Sequence, residues 1–261
     1  MNIQQSLSVT RIKQIISLID LTNLDSECDE TALESLCHQA STPMGNVAAI
    51  CIWPRFVASA KAQLASDSPI RIATVVNFPS GTEPASETCQ TIEAAIVDGA
   101  TEIDYVMPYH KILANKPGEA AASIQRVRSC IPNTALLKVI LETGELRNSE
   151  QVQAAATIAI DHGADFIKTS TGKVPVNATP SAANTMLNAI DASGREVGFK
   201  AAGGLKTVMD ADGYLQQAEA VFGVDWINPN HFRFGASSLL NDALSRIGIE
   251  SSLMNKHSTQ Y

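Results

Sequence analysis

Eight short runs rich in β-branched and apolar residues recur along this chain, and each is followed by a stretch with helical spacing. The runs are Leu18–Thr22, Val47–Ile52, Arg71–Val76, Glu102–Met107, Leu136–Leu141, Asp165–Thr169, Val197–Lys200 and Phe232–Gly235. Between them lie segments such as ETCQTIEAAIVDG and SEQVQAAATIAIDHG, whose apolar positions follow a helix period. The runs AAICI, IATVV and LLKVI are apolar at consecutive positions, as strands covered on both faces must be. Eight such alternations in 261 residues fit a (β/α)8 TIM barrel, with an open doubly wound sheet as the alternative. A chain of this length buries roughly 70–75% of its extended surface. No linker-like stretch divides it, so residues 1–261 are expected to form one barrel domain, with a short N-terminal helix and a flexible C-terminal tail over 248–261.

A weak internal similarity supports repeated αβ units. AIVDGATEID (95–104) resembles AIDHGADFIK (159–168), with Gly99 and Gly163 in the same place, 64 residues apart. Glycine there suits a helix C-terminus, where a left-handed conformation carries no Cβ clash. Five residues beyond each glycine stands a charged residue, Asp104 and Lys168. An ordinary helix-to-strand turn explains the pattern equally well. GVDWIN (223–228) repeats part of it and reads as an insertion before the last strand.

Three lysines sit within or at the end of strand-like runs: Lys138 in LLKVIL, Lys168 in ADFIKTSTGK and Lys200 in GFKAAGG. A buried ammonium without a partner is expensive, so each needs an ion pair or a chemical role. A lysine beside another cation loses its proton more readily, and its free amine can then attack a carbonyl and form a Schiff base. Asp104 or Asp20 could move the protons. Taken singly, each lysine is equally well read as a structural ion-pair residue.

The turns after the last three runs, TSTGK (169–173), AAGGLK (201–206) and FGASS (234–238), combine glycines, hydroxyls and cations. Exposed backbone N–H groups of this kind suit a phosphate, especially at a helix start, and late loops of barrels commonly supply such a site. As a bland alternative they are plain strand-to-helix turns. TSTGK is no nucleotide-binding P-loop, because Ile167 stands where the first glycine would be and Val174 follows Lys173. His38, His110, His162, His231 and His257 show neither HxH nor HExxH spacing, so no metal is expected. Cys51 reads as a buried thiol near the mouth, and Trp53 and Trp226 as packing residues.

The net charge of −8 disfavours a nucleic-acid surface yet leaves room for a local cationic pocket. Cys28, Cys37, Cys51, Cys89 and Cys130 are odd in number and form no CxxC pair; in a chain this large they read as reduced thiols. Neither a cleavable leader nor an apolar run of about 20 residues is evident, which predicts a cytoplasmic protein without a membrane partner.

The segments LIDLTNL, RIATVVNFPSG, EIDYVMPY, LLKVILETGEL, GADFIKTSTGKVPVNATP, VGFKAAGG and HFRFGASSLL together resemble the deoxyribose-phosphate aldolase family, in its longer enterobacterial-type form. The resemblance implies a class I aldolase on a (β/α)8 barrel, without metal or organic cofactor, acting on a small sugar phosphate and acetaldehyde; a homodimer is a family expectation. It implies that Lys168 is the Schiff-base lysine, Lys200 the second lysine, Asp104 the proton-relay aspartate and Tyr261 a mobile C-terminal tyrosine. It matches Asp20 and Lys138 to polar positions of the site, and Gly172, Lys173, Gly203, Gly204, Gly235, Ser237 and Ser238 to the phosphate contacts. Three departures stand out: Ala201 follows the second lysine in place of proline, FPSG replaces a histidine-bearing loop, and Asp225–Asn230 differs. The alternatives are another Schiff-base aldolase, such as one resembling transaldolases, and an inactive barrel that senses sugar phosphates.

Overall fold

A computed structural model describes residues 7–249. At its centre eight parallel strands close into a barrel: β1 (Ile19–Asn23), β2 (Ala49–Ile52), β3 (Arg71–Val76), β4 (Glu102–Val106), β5 (Leu136–Ile140), β6 (Phe166–Lys168), β7 (Gly198–Ala202) and β8 (Phe232–Ala236). β1 pairs with β2 on one side and with β8 on the other, so the sheet has no edge and the open-sheet alternative falls away. Every strand expected from sequence is present, with its ends displaced by two residues at most. A two-residue hairpin, Ser41–Thr42 against Gly45–Asn46, precedes β2 and had no signal in the sequence pattern.

Helices surround the barrel: α1 (Val9–Ser17), α2 (Glu30–Gln39), α3 (Val57–Gln63), α4 (Ala85–Asp98), α5 (Tyr109–Leu113), α6 (Pro117–Arg128), α7 (Ser149–Asp161), α8 (Pro180–Ser193), α9 (Val208–Phe222) and α10 (Leu239–Arg246). The expected N-terminal helix is α1. It buries Ile12, Ile15 and Ile16, and its Arg11 donates to Asp212 of α9 at 2.6 Å. Gly99 caps α4 at φ +111°, and Gly163 follows α7 at φ +95°, as the internal similarity suggested. GVDWIN forms a short 3-10 turn, Val224–Trp226, ahead of β8.

Strand alternation divides the charged residues from the apolar ones. Leu137 and Val139 flank Lys138, Phe199 and Ala201 flank Lys200, and Phe232 and Phe234 flank Arg233; all six flanking residues belong to the large core between barrel and helices. Because side chains on a strand point alternately to opposite faces, the charged residue between each pair points into the barrel. The interior is itself divided. Ala49, Cys51, Ala73 and Val75 form a small apolar cluster on β2 and β3. Ionisable groups line β1 and β4 to β8: Asp20, Glu102, Asp104, Lys138, Lys168, Lys200 and Arg233, none more than 3% exposed.

One expectation is corrected. Cys89 of α4 and Cys130, just past α6, form a disulfide, leaving Cys28, Cys37 and Cys51 as the free thiols among the described residues. The two cysteines are 41 residues apart in sequence, but α4 and α6 are neighbours in the helical ring and bring their Cα atoms to 5.7 Å. Spacing along the chain carries no trace of that approach. No helix among the described residues is long and apolar enough to cross a membrane.

Candidate active site

Strand register assembles the candidate site. Asp104 lies opposite Lys138, and Lys168 opposite Lys200, which in turn lies opposite Arg233. All point inward, and their terminal atoms meet on one carboxylate. Asp104 accepts from Lys138 at 2.8 Å on Oδ1, and from both Lys168 at 2.7 Å and Lys200 at 2.8 Å on Oδ2. Lys200 also donates to Asp20 at 2.5 Å. The Cys51 thiol lies 4.0 Å from Asp104 Oδ2, on the apolar side of the same cluster, which fits the buried-thiol reading. Thus Asp104 and Lys168, the two charged residues placed in equivalent positions by the internal similarity, are in direct contact.

The lysines differ in what surrounds them. Burial drives the Lys168 ammonium toward the free amine; Asp104 opposes this, the neighbouring Lys200 adds to it, and the net direction is downward. Burial acts on Lys200 too, but Asp104 and Asp20 overcome it and hold Lys200 protonated well above its ordinary range. Lys138 is likewise raised, against burial, by Asp104, Glu102 and Asp20. Burial alone would favour neutral carboxyls, yet the surrounding cations hold Asp104 and Asp20 below the usual carboxylate range. The site therefore presents one amine biased to be neutral beside two fixed cations and an ionised carboxylate. The lone pairs of Asp104 are occupied by lysines, an arrangement that suits proton transfer and not metal ligation.

Above this cluster opens a cavity of about 910 Å³ at the C-terminal ends of the strands, the face where barrel enzymes carry their sites. Lys168 is the one member of the ionic cluster that lines it. Every residue expected to contact phosphate also lines it: Gly172, Lys173, Gly203, Gly204, Gly235, Ser237 and Ser238. Lys206 joins them. Ser238, the N-cap of α10, lines the cavity and makes no side-chain capping bond, so its hydroxyl stands at the cavity wall beside the N-terminal end of that helix. At Gly203 a side chain would meet Asn177 at 2.6 Å, which explains why the backbone can pass so closely there. Lys173 spans the mouth and donates to the Leu24 carbonyl at 2.8 Å.

Some functional features escaped the sequence reading. Trp53 is more than a packing residue: it lines the cavity wall with Phe78, the rings meeting edge to face at 5.6 Å, and its Nε1 donates to the Asp25 carbonyl. Thr171 is anchored on the buried Glu142, which accepts from its N–H at 3.1 Å and from its hydroxyl at 2.6 Å. Glu102 and Arg233 belong to the ionic cluster but were passed over, although each is a charged residue inside an apolar strand, the signal that marked the lysines. Ala201 is paired within β7 and β8, so strand hydrogen bonding fixes the backbone beside Lys200 without proline. Tyr261 lies outside the described residues.

Comparison with known proteins gives a consistent result. The sequence profile of the DeoC/LacD family aldolases matches residues 14–245. A deoxyribose-phosphate aldolase of Agrobacterium fabrum is 54% identical over 230 residues, covering 88% of this chain and 89% of that protein. Among solved structures, the aldolase QR15 superposes with a TM-score of 0.76 at 25% identity, covering 93% of this chain and 99% of that one. The deoxyribose phosphate aldolase of Aeropyrum pernix, reported as a tetramer, has a TM-score of 0.74 at 21% identity, covering 92% and 97% respectively, and that likeness concerns the fold.

Proposed function

This chain belongs to the DeoC/LacD family of aldolases, and on that premise we propose that it reversibly cleaves 2-deoxy-D-ribose 5-phosphate to D-glyceraldehyde 3-phosphate and acetaldehyde through a Schiff base on Lys168. The observation that carries this reading is the Lys168 amine, buried at the cavity floor, 2.7 Å from Asp104, with Lys200 on the same carboxylate oxygen. That arrangement supplies a nucleophile, a proton carrier and a fixed positive charge within one contact of each other.

In the cleavage direction the neutral amine of Lys168 adds to C1 of the open-chain sugar phosphate. Asp104 accepts a proton as the carbinolamine forms and returns one to the departing hydroxyl, which leaves as water. The resulting iminium draws the electron pair of the C2–C3 bond as that bond breaks. In the same step the C3 hydroxyl loses its proton, and its oxygen becomes the aldehyde oxygen of glyceraldehyde 3-phosphate.

Acetaldehyde keeps C1 and C2, glyceraldehyde 3-phosphate keeps C3, C4 and C5, and the iminium at C1 receives the C2–C3 electron pair. Asp104, with Lys200 alongside, takes the proton from the C3 hydroxyl as C3 becomes the aldehyde carbon. The enamine left on Lys168 is then protonated at C2, a step for which the family resemblance suggests Tyr261, and water releases acetaldehyde and the free amine. The phosphate is held by the turns around Gly172, Gly203 and Gly235 with Lys173, Ser237 and Ser238, where the N-terminus of α10 favours an anion.

Incubation with acetaldehyde and borohydride, followed by peptide mapping, tests this. The expected result is one reduced ethyl group on Lys168; a folded protein that gains none overturns the reading. Turnover of acetaldehyde in place of a dihydroxyacetone donor separates it from a transaldolase-like activity. A second expectation concerns Gly235, where a Cβ would lie 2.9 Å from the Ala202 Cβ and 3.1 Å from Lys200 Cε. Gly235→Ala should displace Lys200 and lower kcat for cleavage about 10- to 100-fold, since small misplacements of reacting groups have effects of this order. Steady-state kinetics check it, and an unchanged kcat would show that Lys200 tolerates the shift.

A further inference from the structure

Two charged residues of the barrel interior, Arg233 and Glu102, touch none of Lys168, Asp104 and Lys200. Arg233 donates to Asp20 at 2.6 Å and to Glu102 at 2.9 and 3.3 Å, and its Nε donates to the Pro229 carbonyl. Glu102 also meets Lys138 at 2.5 Å, and Arg71 approaches it from the solvent side at 3.5 Å. Neither Arg233 nor Glu102 lines the cavity. Each instead grips a residue that grips the reacting groups: Arg233 holds Asp20, which holds Lys200, and Glu102 holds Lys138, which holds Asp104.

Charge counting gives this arrangement a consequence. Within the connected, fully buried cluster, Asp20, Glu102 and Asp104 face Lys138, Lys200 and Arg233, three carboxylates against three cations. The cluster is balanced when Lys168 is a free amine and carries an excess positive charge when Lys168 is an ammonium. Uncompensated charge is strongly disfavoured in a buried site. Of the other titratable groups near Lys168, the Cys51 thiol is pushed up by burial and stays neutral, and the Glu142 carboxyl is engaged by Thr171.

We infer that Arg233 and Glu102 are positioning residues that act through Asp20 and Lys138 to set the charge balance under which Lys168 stands as the uncharged amine. This rests on the proposed role of Lys168. A purely structural pair would affect stability and leave the ionisation of Lys168 where it is.

The test is the pH profile of kcat/KM for 2-deoxyribose 5-phosphate cleavage, whose acid limb reports the free enzyme's ionisation. Arg233→Met removes a cation, leaves the cluster negative and favours the ammonium, so the limb should move to higher pH by about half a unit or more. Glu102→Gln removes a carboxylate and should move it to lower pH. Arg233→Lys restores the charge and should return the limb to the wild-type position. Shifts of opposite sign with rescue by lysine support the inference; an unmoved limb, or shifts of the same sign, overturns it. Should Arg233→Met fail to fold, Glu102→Gln decides alone, and the absence of a downward shift overturns the inference. Borohydride trapping on the wild-type enzyme separates the two readings. Without an adduct on Lys168 the proposed function fails, whereas an adduct with unmoved limbs refutes only the charge-balance role.

Discussion

Lys168→Met should abolish the borohydride-trapped adduct and lower cleavage by about 10⁴-fold or more, as loss of a covalent nucleophile does, while the protein stays folded. No neighbour can replace the amine. Lys200 and Lys138 are both buried among carboxylates that keep them protonated, and a protonated lysine is no nucleophile. Stability should hold for two reasons. Asp104 keeps Lys138 and Lys200, each at 2.8 Å, so no buried carboxylate is left alone. The lowered pKa of Lys168 also means that the unfolded chain binds more protons at this position than the folded one. By linkage, that difference works against folding at neutral pH and diminishes as pH rises through the unfolded lysine value of about 10.4. Methionine removes it, so the variant's Tm at pH 7 should equal or exceed that of the wild type. Peptide mapping and thermal unfolding check the two halves separately, and an adduct persisting on Lys200 in the variant would refute the assignment of Lys168.

How far this site can be read from sequence depends on the kind of information each residue carries. The lysines were visible because an ammonium in a covered strand contradicts its surroundings, and the same contradiction was present, unused, at Glu102 and Arg233. Glu102 stands two residues before Asp104, so strand alternation alone puts both on the inner face. The barrel was legible from periodicity because strand and helix patterns are local. Pairings that depend on closure were not: the contact of Lys200 with Asp20 joins residues 180 apart, and the disulfide joins two helices that become neighbours only around the ring. The side of the barrel lined by Ala49, Ala73 and Val75 was hidden for the opposite reason, since small apolar residues read alike whether they face the helices or the interior.

Asp104→Asn separates the structural and chemical roles that meet on one carboxylate. Asparagine keeps the shape and one acceptor oxygen, but it places an NH2 among three lysine side chains and removes the charge they share. Lys138 retains Glu102 at 2.5 Å and Lys200 retains Asp20 at 2.5 Å, so two ammoniums keep a partner; Lys168 has no other carboxylate in contact among the described residues. Breaking a buried ion pair from one side typically destabilises by about 3–5 kcal/mol, and the retained partners put the expected loss toward the lower figure. For Lys168 the direction is different. Without Asp104 to favour the ammonium, its pKa should fall further, so the nucleophile remains available and the adduct on Lys168 still forms. What is lost is the group that carries protons at the carbinolamine and at the C3 hydroxyl, and the cleavage rate should drop about 10²- to 10⁴-fold. Denaturant unfolding measures the first effect, and steady-state kinetics with trapping measures the second. A variant that loses stability but cleaves at the wild-type rate would reduce Asp104 to a structural counter-ion, and proton transfer would then have to be assigned to another group.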